Sequence, residues 1–240
     1  MKPTVDIVIP VYNEETILSR NINILNEYLE KYCEYPWRII IANNGSTDET
    51  ENIGNLLANK YKSILLLSIP EKGRGKALNV AWSQSEADIV AYLDIDLSTR
   101  LKHLNQLIQA IEEGSEIAIG SRLLKKSRVR RSFLRTTLSK IYNFLIKILF
   151  LSKFSDAQCG FKAFKQSSIA KILPLVKNKN WFFDTEILLI YEKNKIQISE
   201  IPVEWEEDSN SKVKIIKTII EDIKGLLRLR FKGIPTIKDS

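Results

Sequence analysis

A chain of 240 residues, 44% of them apolar, with nine glycines and seven prolines, is long enough to bury a substantial core and too evenly composed to be fibrous or disordered. Its formal charge of +7 points to anionic partners such as nucleic acid, an anionic membrane surface or a phosphorylated substrate, and says little about fold. The two cysteines, Cys33 and Cys159, lie far apart and exclude a disulfide framework, and a single histidine, His103, excludes a histidine-built metal site or a Ser-His-Asp triad.

The N-terminal "MKPTVDIVIPVYNEE" runs straight into a strand pattern at Val5–Pro10, without the long apolar core of a signal peptide. That strand ends in a polar cluster, "PVYNEE", and helical periodicity follows over Glu14–Tyr32. A second strand, Trp37–Ala42, runs into "NNGSTDE". There Asn44-Gly45 is a turn dipeptide, and Ser46 with Glu49 reads as a capping box for a helix over Asp48–Lys60. The functional alternative is that Asn43 and Asn44 face a bound base or ribose.

The third strand, Ser63–Ile69, leads to "PEKGRGKA", where Gly73 and Gly75, with Arg74 and Lys76 beside them, open a helix over Lys76–Ser85. A glycine loop at a helix N-terminus suits a phosphate, because free N–H groups and the helix dipole point at the anion. The spacing is neither that of a P-loop nor that of the dinucleotide fingerprint. The fourth strand, Ile89–Leu93, ends in "DIDLS". Asp94 and Asp96 fall on one face of an extended chain, about 7 Å apart, a like-charged pair that calls for a counter-ion. Divalent cations such as Mg²⁺ are held by one or two carboxylates together with substrate phosphates, so a nucleotide diphosphate between the Lys76 loop and this pair accounts for both features. A helix over Leu101–Glu113 and a strand over Glu116–Gly120 complete the alternation, which implies βαβ units, a mainly parallel sheet and a ligand beyond the carboxyl ends of its strands.

After residue 121 the character changes. The segment from Arg122 to Lys140 carries eight Lys or Arg and no acid, and "KIYNFLIKILFLSKF" (Lys140 to Phe154) is apolar but interrupted by Lys147. It is shorter than the roughly 20 residues that span a bilayer, so an interfacial helix or a subunit interface is expected, with positive charge drawn to anionic headgroups. "DAQCGFKAF", a helix around "WFFDTEILLIYEKN" and a strand at Ile198–Val203 follow. A final basic helix runs from Lys212 to about Arg230, with Val213, Ile216, Ile220, Ile223 and Leu227 as a stripe that either packs on the core or lies on a surface. One domain over residues 1–210 with a C-terminal extension over 211–240 is expected. Nucleic-acid binding explains neither the aspartate pair nor the strand-end clusters.

"VDIVIPVYNEE", "NNGSTD", "KGRGKA", "LDIDLS" and "IGSR" stand in the order and at the spacing of family 2 glycosyltransferases of the GT-A fold, and the chain resembles that family over nearly its whole length. "DAQCGFKAF", "WFFDTEIL" and "IPVEW…SKV" resemble, more narrowly, its dolichyl-phosphate glucosyltransferase branch, with the dolichyl-phosphate mannose synthases next. The resemblance implies a Rossmann-like α/β fold, with a mixed, mainly parallel sheet flanked by helices and C-terminal amphipathic helices. It implies inverting, Mg²⁺- or Mn²⁺-dependent transfer of a hexose from a nucleotide sugar, UDP-glucose before GDP-mannose, to a polyprenyl (dolichyl-type) phosphate. A soluble saccharide acceptor is the rival.

By the same resemblance Pro10, Tyr12, Glu14 and Asn43 line the nucleotide pocket, and Asp94 and Asp96 are the D-x-D pair that meets nucleotide and metal. Arg122, Arg135 and Lys140 gather the acceptor phosphate, and Lys212 approaches the phosphates from a C-terminal loop. Asp156 and Asp184 are the remaining acids for the catalytic set of Asp96, Arg122 and Arg135, although Asp156 also reads as orienting an arginine and Asp184 as a helix cap. Two departures stand out: Asn43-Asn44 where many relatives carry Asp-Asp, and Ser98 where the mannose synthases carry Gln. The implied location is peripheral, on the cytoplasmic side of a membrane and with no transmembrane segment in this chain. A membrane partner subunit and self-association are both compatible with it.

Overall fold

The computed structural model describes residues 1–207 and 215–237. The first half alternates β1 (Val5–Val11), α1 (Leu18–Tyr32), β2 (Trp37–Asn44), α2 (Thr50–Lys60), β3 (Ile64–Ile69), α3 (Arg74–Ser83), β4 (Ile89–Leu93), α4 (Lys102–Glu112) and β5 (Ile117–Ser121). The second half adds β6 (Arg128–Arg130), α5 (Phe133–Phe150), β7 (Phe161–Lys165), α6 (Gln166–Ile172), α7 (Phe183–Lys193), β8 (Ile198–Pro202), β9 (Glu204–Glu206) and α8 (Ile215–Lys232).

Seven strands form one sheet in the order β3-β2-β1-β4-β7-β5-β8, and β6 pairs with β9 in a small ribbon. Every neighbour pair of the large sheet is parallel except those of β7, which runs antiparallel between β4 and β5. The expected mixed, mainly parallel sheet flanked by helices is therefore present. The reversed β7, and the short α6 behind it, have no counterpart in the sequence expectation, because "FKAF" is too brief to show a period.

All residues of β1, β4 and β5 are buried, as helices on both faces of a sheet require. One core layer holds Val8, Val90, Tyr92 and Trp82 with residues of α3, α6 and α7; the other holds Ile7, Ile9, Ala91 and Leu93 with residues of α1 and α4. Asp6 is the charged exception within β1. Its carboxylate accepts two bonds from Arg38, directly across in β2, at 2.8 Å each, and a third from the Ser85 hydroxyl at 2.6 Å.

α8 joins the same core through Leu226 and Leu229, and Gly225 lets it lie against the Phe182 ring, where a Cβ would overlap. The boundary expected at residue 210, with Lys212 and Val213, lies outside the described residues. The Ser46–Glu49 capping box does not form. Ser46 Oγ instead accepts from Asn13 N at 3.0 Å, and Asp48 Oδ1 accepts from Thr50 N at 3.0 Å. The Ser46 hydroxyl is thus committed to joining the loop after β1 to the loop after β2, and α2 begins later than the motif suggested.

Trp82 is fully buried, with ring centroids 4.9 Å from Phe164 and 5.7 Å from Tyr92. Trp82→Ala is expected to cost about 3–5 kcal/mol of unfolding free energy, read from urea denaturation, and a cost below 1 kcal/mol would mean the core closes over the gap.

Candidate active site

The carboxyl ends of β1, β2, β3, β4, β5 and β8 open on one edge of the sheet, and β7 begins there because it runs the other way. The polar clusters singled out in the sequence meet along that edge. At its centre a small cleft is lined by Leu93, Asp94, Asp96, Leu97, Ser98, Thr99, Gly160 and Trp205. Asp94 follows the last residue of β4. Its N–H donates to the Gly160 carbonyl at 3.3 Å, and its carboxylate stands where a Cβ on Gly160 would be. Asp96 Oδ1 accepts from Ser98 N at 3.0 Å, which ties the turn after Asp94.

Behind Asp94 runs a chain of alternating charge. Arg74, at the start of α3, donates to Asp94 Oδ1 at 2.7 Å and to Asp184 Oδ2 at 2.5 Å. Asp184 Oδ1 in turn accepts from Lys162 Nζ at 2.8 Å and from the Tyr92 hydroxyl. Lys162 is only 1% exposed and also donates to the Cys159 carbonyl at 2.6 Å. Burial alone would raise the Asp184 pKa, but Lys162 and Arg74 outweigh it and hold the carboxyl at about 2. Asp184 is therefore not a helix cap. It lies within the first turn of α7 and points into the sheet, toward the cations.

Arg74 is also stacked between Tyr92 and Trp181, at 5.1 and 5.2 Å from the ring centroids. Gly73 and Gly75 make this approach possible: a Cβ on Gly73 would lie 2.7 Å from the Lys179 carbonyl, and one on Gly75 2.5 Å from Phe183 Cβ. Lys76 pairs with Glu71 across the loop.

At one end of the edge Pro10 is buried inside β1, Tyr12 lies under Lys72 Nζ at 3.3 Å, and Glu14 is half-buried, its N–H bonded to Thr50 Oγ1 at 2.8 Å. Asn43 Oδ1 accepts from Ser46 N at 3.3 Å. Asn44 has both ends of its amide committed: Nδ2 donates to the Val11 carbonyl at 2.6 Å, and Oδ1 accepts from Gly73 N at 3.1 Å. Asn44 therefore joins β1, β2 and the glycine loop, and an ionised Asp in its place, having no donor, could not bond the Val11 carbonyl.

On the other side Arg122, just past β5, makes a two-pronged pair with Asp156, Nε to Oδ2 at 2.7 Å and an Nη to Oδ1 at 2.9 Å. Both are buried. Asp156 is held below the usual carboxylate range, since Arg122 outweighs the opposing effect of burial, so the reading of Asp156 as the group that orients an arginine describes the geometry. The guanidinium groups of Arg122 and Arg131 lie 5.5 and 5.3 Å from the centroid of the Trp205 ring. Arg131 is pushed down to about 10 by burial and then by the neighbouring Arg122, and its Nε has no hydrogen-bond partner among the described residues. Arg135 pairs with Glu207 at 2.8 Å. Lys140 is exposed, whereas the residues α5 buries are Ser139, Asn143 and Ile146. Sequence reasoning missed Arg131, Trp205, Lys162, Tyr92 and Gly160. The one usable signal was Lys162, a lone charge inside the apolar "FKAF".

Among the described residues no three His, Cys, Asp or Glu side chains converge on a metal-sized centre. The donor set still fits a hard divalent cation, which takes one or two carboxylates and completes its shell with phosphate and water oxygens. Asp94 Oδ1 is engaged by Arg74, yet the carboxylate is 41% exposed, and Ser98 Oγ is buried beside it without a partner among the described residues.

A mainly parallel seven-stranded sheet with one reversed strand and helices on both faces is the architecture of GT-A glycosyltransferases. The family model for glycosyl transferase family 2 matches residues 6–173, and the chain belongs to that family. It is 32% identical to the glycosyltransferase AglD of Haloferax volcanii over 227 residues, 93% of this chain but only 36% of AglD. It is 33% identical to a dolichyl-phosphate beta-glucosyltransferase of Trichomonas vaginalis over 250 residues, 98% of this chain and 76% of that protein. The Homo sapiens dolichyl-phosphate beta-glucosyltransferase is 29% identical over 241 residues, 94% of this chain and 74% of that protein. Among solved structures, glucosyl-3-phosphoglycerate synthase from Mycobacterium tuberculosis, in complex with Mn²⁺, UDP and glucosyl-3-phosphoglycerate, superposes with a TM-score of 0.71. The identity is 18%, with coverage of 97% of this chain and 81% of that one, so the likeness is one of fold.

Asp184→Asn leaves Lys162 buried with its charge unmatched and is expected to destabilise the protein by about 3–5 kcal/mol. Because the Asp184 pKa is depressed from 3.8 to about 2, its contribution is present above pH 4 and lost as pH falls through 2. The variant's deficit in chemical denaturation should therefore shrink between pH 4 and pH 2, and a deficit independent of pH would refute this assignment.

Proposed function

We propose that the protein transfers glucose from UDP-glucose to a polyprenyl (dolichyl-type) phosphate, with inversion at the anomeric carbon. The observation that carries this reading is Trp205. It lines the Asp94–Asp96 cleft and also bears Arg122 and Arg131, which sets a two-arginine anion site beside a carboxylate pair. The names of the dolichyl-phosphate glucosyltransferases that share about 30% of its residues supply the sugar and the lipid.

In this reading Arg122 and Arg131 hold the acceptor phosphate, and Arg74 and Lys76 lie on the side of the donor's diphosphate. A phosphate monoester with a second pKa of about 6 is already ionised at neutral pH, so its oxygen attacks without a general base. Asp156 and Asp184, each bound to cations, position arginines rather than take protons. Asp94 and Asp96 would hold Mg²⁺ or Mn²⁺, which neutralises charge growing on the departing nucleoside diphosphate.

The helices α5 and α8 supply the place for the lipid. Phe133, Ile141, Phe144 and Ile148 of the first, and Ile220, Ile223 and Phe231 of the second, are exposed, with Phe133 at 87% and Phe231 at 82%. Exposed Lys140, Lys147, Lys224 and Arg230 stand among them. No helix among the described residues is long and apolar enough to cross a membrane. In this reading the bare face of α5 and α8 rests on an anionic bilayer surface, on the cytoplasmic side, with its lysines and arginines toward the headgroups.

The test is transfer of labelled sugar into the organic phase from UDP-glucose or GDP-mannose, with Mn²⁺ and polyprenyl phosphate in anionic liposomes. UDP-glucose is expected to be the preferred donor, and Asp96→Ala to lower turnover at least about 100-fold. Arg131→Ala, losing a charge-assisted contact of about 1.5–3 kcal/mol, is expected to raise the acceptor KM about 10- to 100-fold with the donor KM unchanged. Label that stays in the aqueous phase with every donor, while UDP still binds, would mean a soluble acceptor.

A further inference from the structure

The loop of residues 156–160 carries two supports of the site, Asp156 under Arg122 and Gly160 under Asp94. Its outer side is held by the two helices with bare apolar faces. From α5, Asn143 Oδ1 accepts from Ala157 N at 2.9 Å. From α8, Asp222 Oδ2 accepts from Gln158 Nε2 at 2.7 Å. The residue before it, Glu221, accepts from Trp181 N at 3.2 Å, and the Trp181 ring covers Arg74. Two adjacent acids of one helix thus reach two supports of the site.

We propose that Asp222 is a positioning residue for the transfer reaction: through Gln158 it fixes the 156–160 loop, and with it the Arg122–Asp156 pair and the placement of Asp94. The proposal rests on the function inferred above for its effect on turnover, and on the geometry alone for its effect on the loop. A buried carboxyl is a poor choice for stability. Burial first, and then the charge of Glu221, push Asp222 up to about 7. The groups that face it are Glu221 from α8, Asp184 from α7, Tyr142 from α5 and the Gln158 amide from the loop. Because the raised pKa makes the folded state prefer the protonated acid, the wild type loses stability as pH rises from about 4 to 7 relative to a non-titrating residue.

Amide hydrogen exchange and transfer kinetics on the full chain test this in Asp222→Ala, Asp222→Asn and Gln158→Leu. Asp222→Ala is expected to speed exchange at residues 157–160 while leaving β1–β4 unchanged, and to lower kcat about tenfold with the UDP-glucose KM unaltered. Asp222→Asn, whose side-chain oxygen still accepts from Gln158, is expected to restore both, with a melting temperature above wild type at pH 8 and close to it at pH 4. Gln158→Leu should match Asp222→Ala, and combining the two should be no worse than either alone, since both remove one contact. It also stands in if Asp222→Ala fails to fold. Unchanged loop exchange in both single variants, or effects that multiply, would overturn the proposal. Faster loop exchange in an enzyme that gives no organic-phase product from any donor would instead uphold the positioning role and remove the lipid-phosphate reading.

Discussion

Four side chains in a row, Lys162, Asp184, Arg74 and Asp94, lead from the middle of the sheet to the mouth of the cleft with alternating charge. Only the last is substantially open to solvent. Taking such groups out of water costs several kcal/mol each, and apolar residues in their place would often be as stable or more so. What the row provides is direction. Asp94 has one oxygen fixed by Arg74, Arg74 has its second arm fixed by Asp184, and Asp184 is fixed in turn by Lys162 and Tyr92. A carboxylate oriented in advance loses less freedom when it engages a ligand, and Arg74 balances its charge at the same edge.

This row depends on the reversal of β7. Lys162 lies opposite Tyr92 in the antiparallel pairing of β7 with β4, and the strand's start puts Gly160 against Asp94. Had β7 run parallel, its first residues would emerge at the far edge, leaving Asp94 without its backbone partner and Asp184 without its lysine. The two arginine subsites also differ in how far their charge is compensated. Arg74 meets two carboxylates and Arg122 one, shared through two bonds, whereas Arg131 has a lowered pKa and an Nε with no partner among the described residues. The least compensated guanidinium marks where an anion gains most by binding.

Much of this was legible in the sequence. Alternating strand and helix patterns gave the parallel half of the sheet, and the polar clusters at strand ends gave the edge where the site lies, because both follow from local periodicity and turn chemistry. Asp94 and Asp96 stood out because like charges at the end of an apolar strand need an explanation. The remainder depended on partners distant in the chain. Asn44 serves as a joint only because Gly73 comes within reach, and Arg131, rather than Arg135, reaches Trp205 because Glu207 engages Arg135. In a segment with eight basic residues and no acid, nothing local distinguishes Arg131 as a residue that turns inward.

The same helices that bare apolar residues to the outside commit polar ones to the site. On α5 the exposed Phe144 adjoins Asn143, which holds the loop; on α8 the exposed Ile223 adjoins Asp222, which holds it from the other side. Neighbouring positions on a helix point about 100° apart, so each helix faces the surface and the site at once. If the outer faces rest on a bilayer, the acceptor's phosphate enters beside the loop those helices fix, and seating the helices and ordering the loop become one event. An isoprenoid chain then needs no pocket of its own, since the membrane solvates it and the protein has only to recognise its charged end.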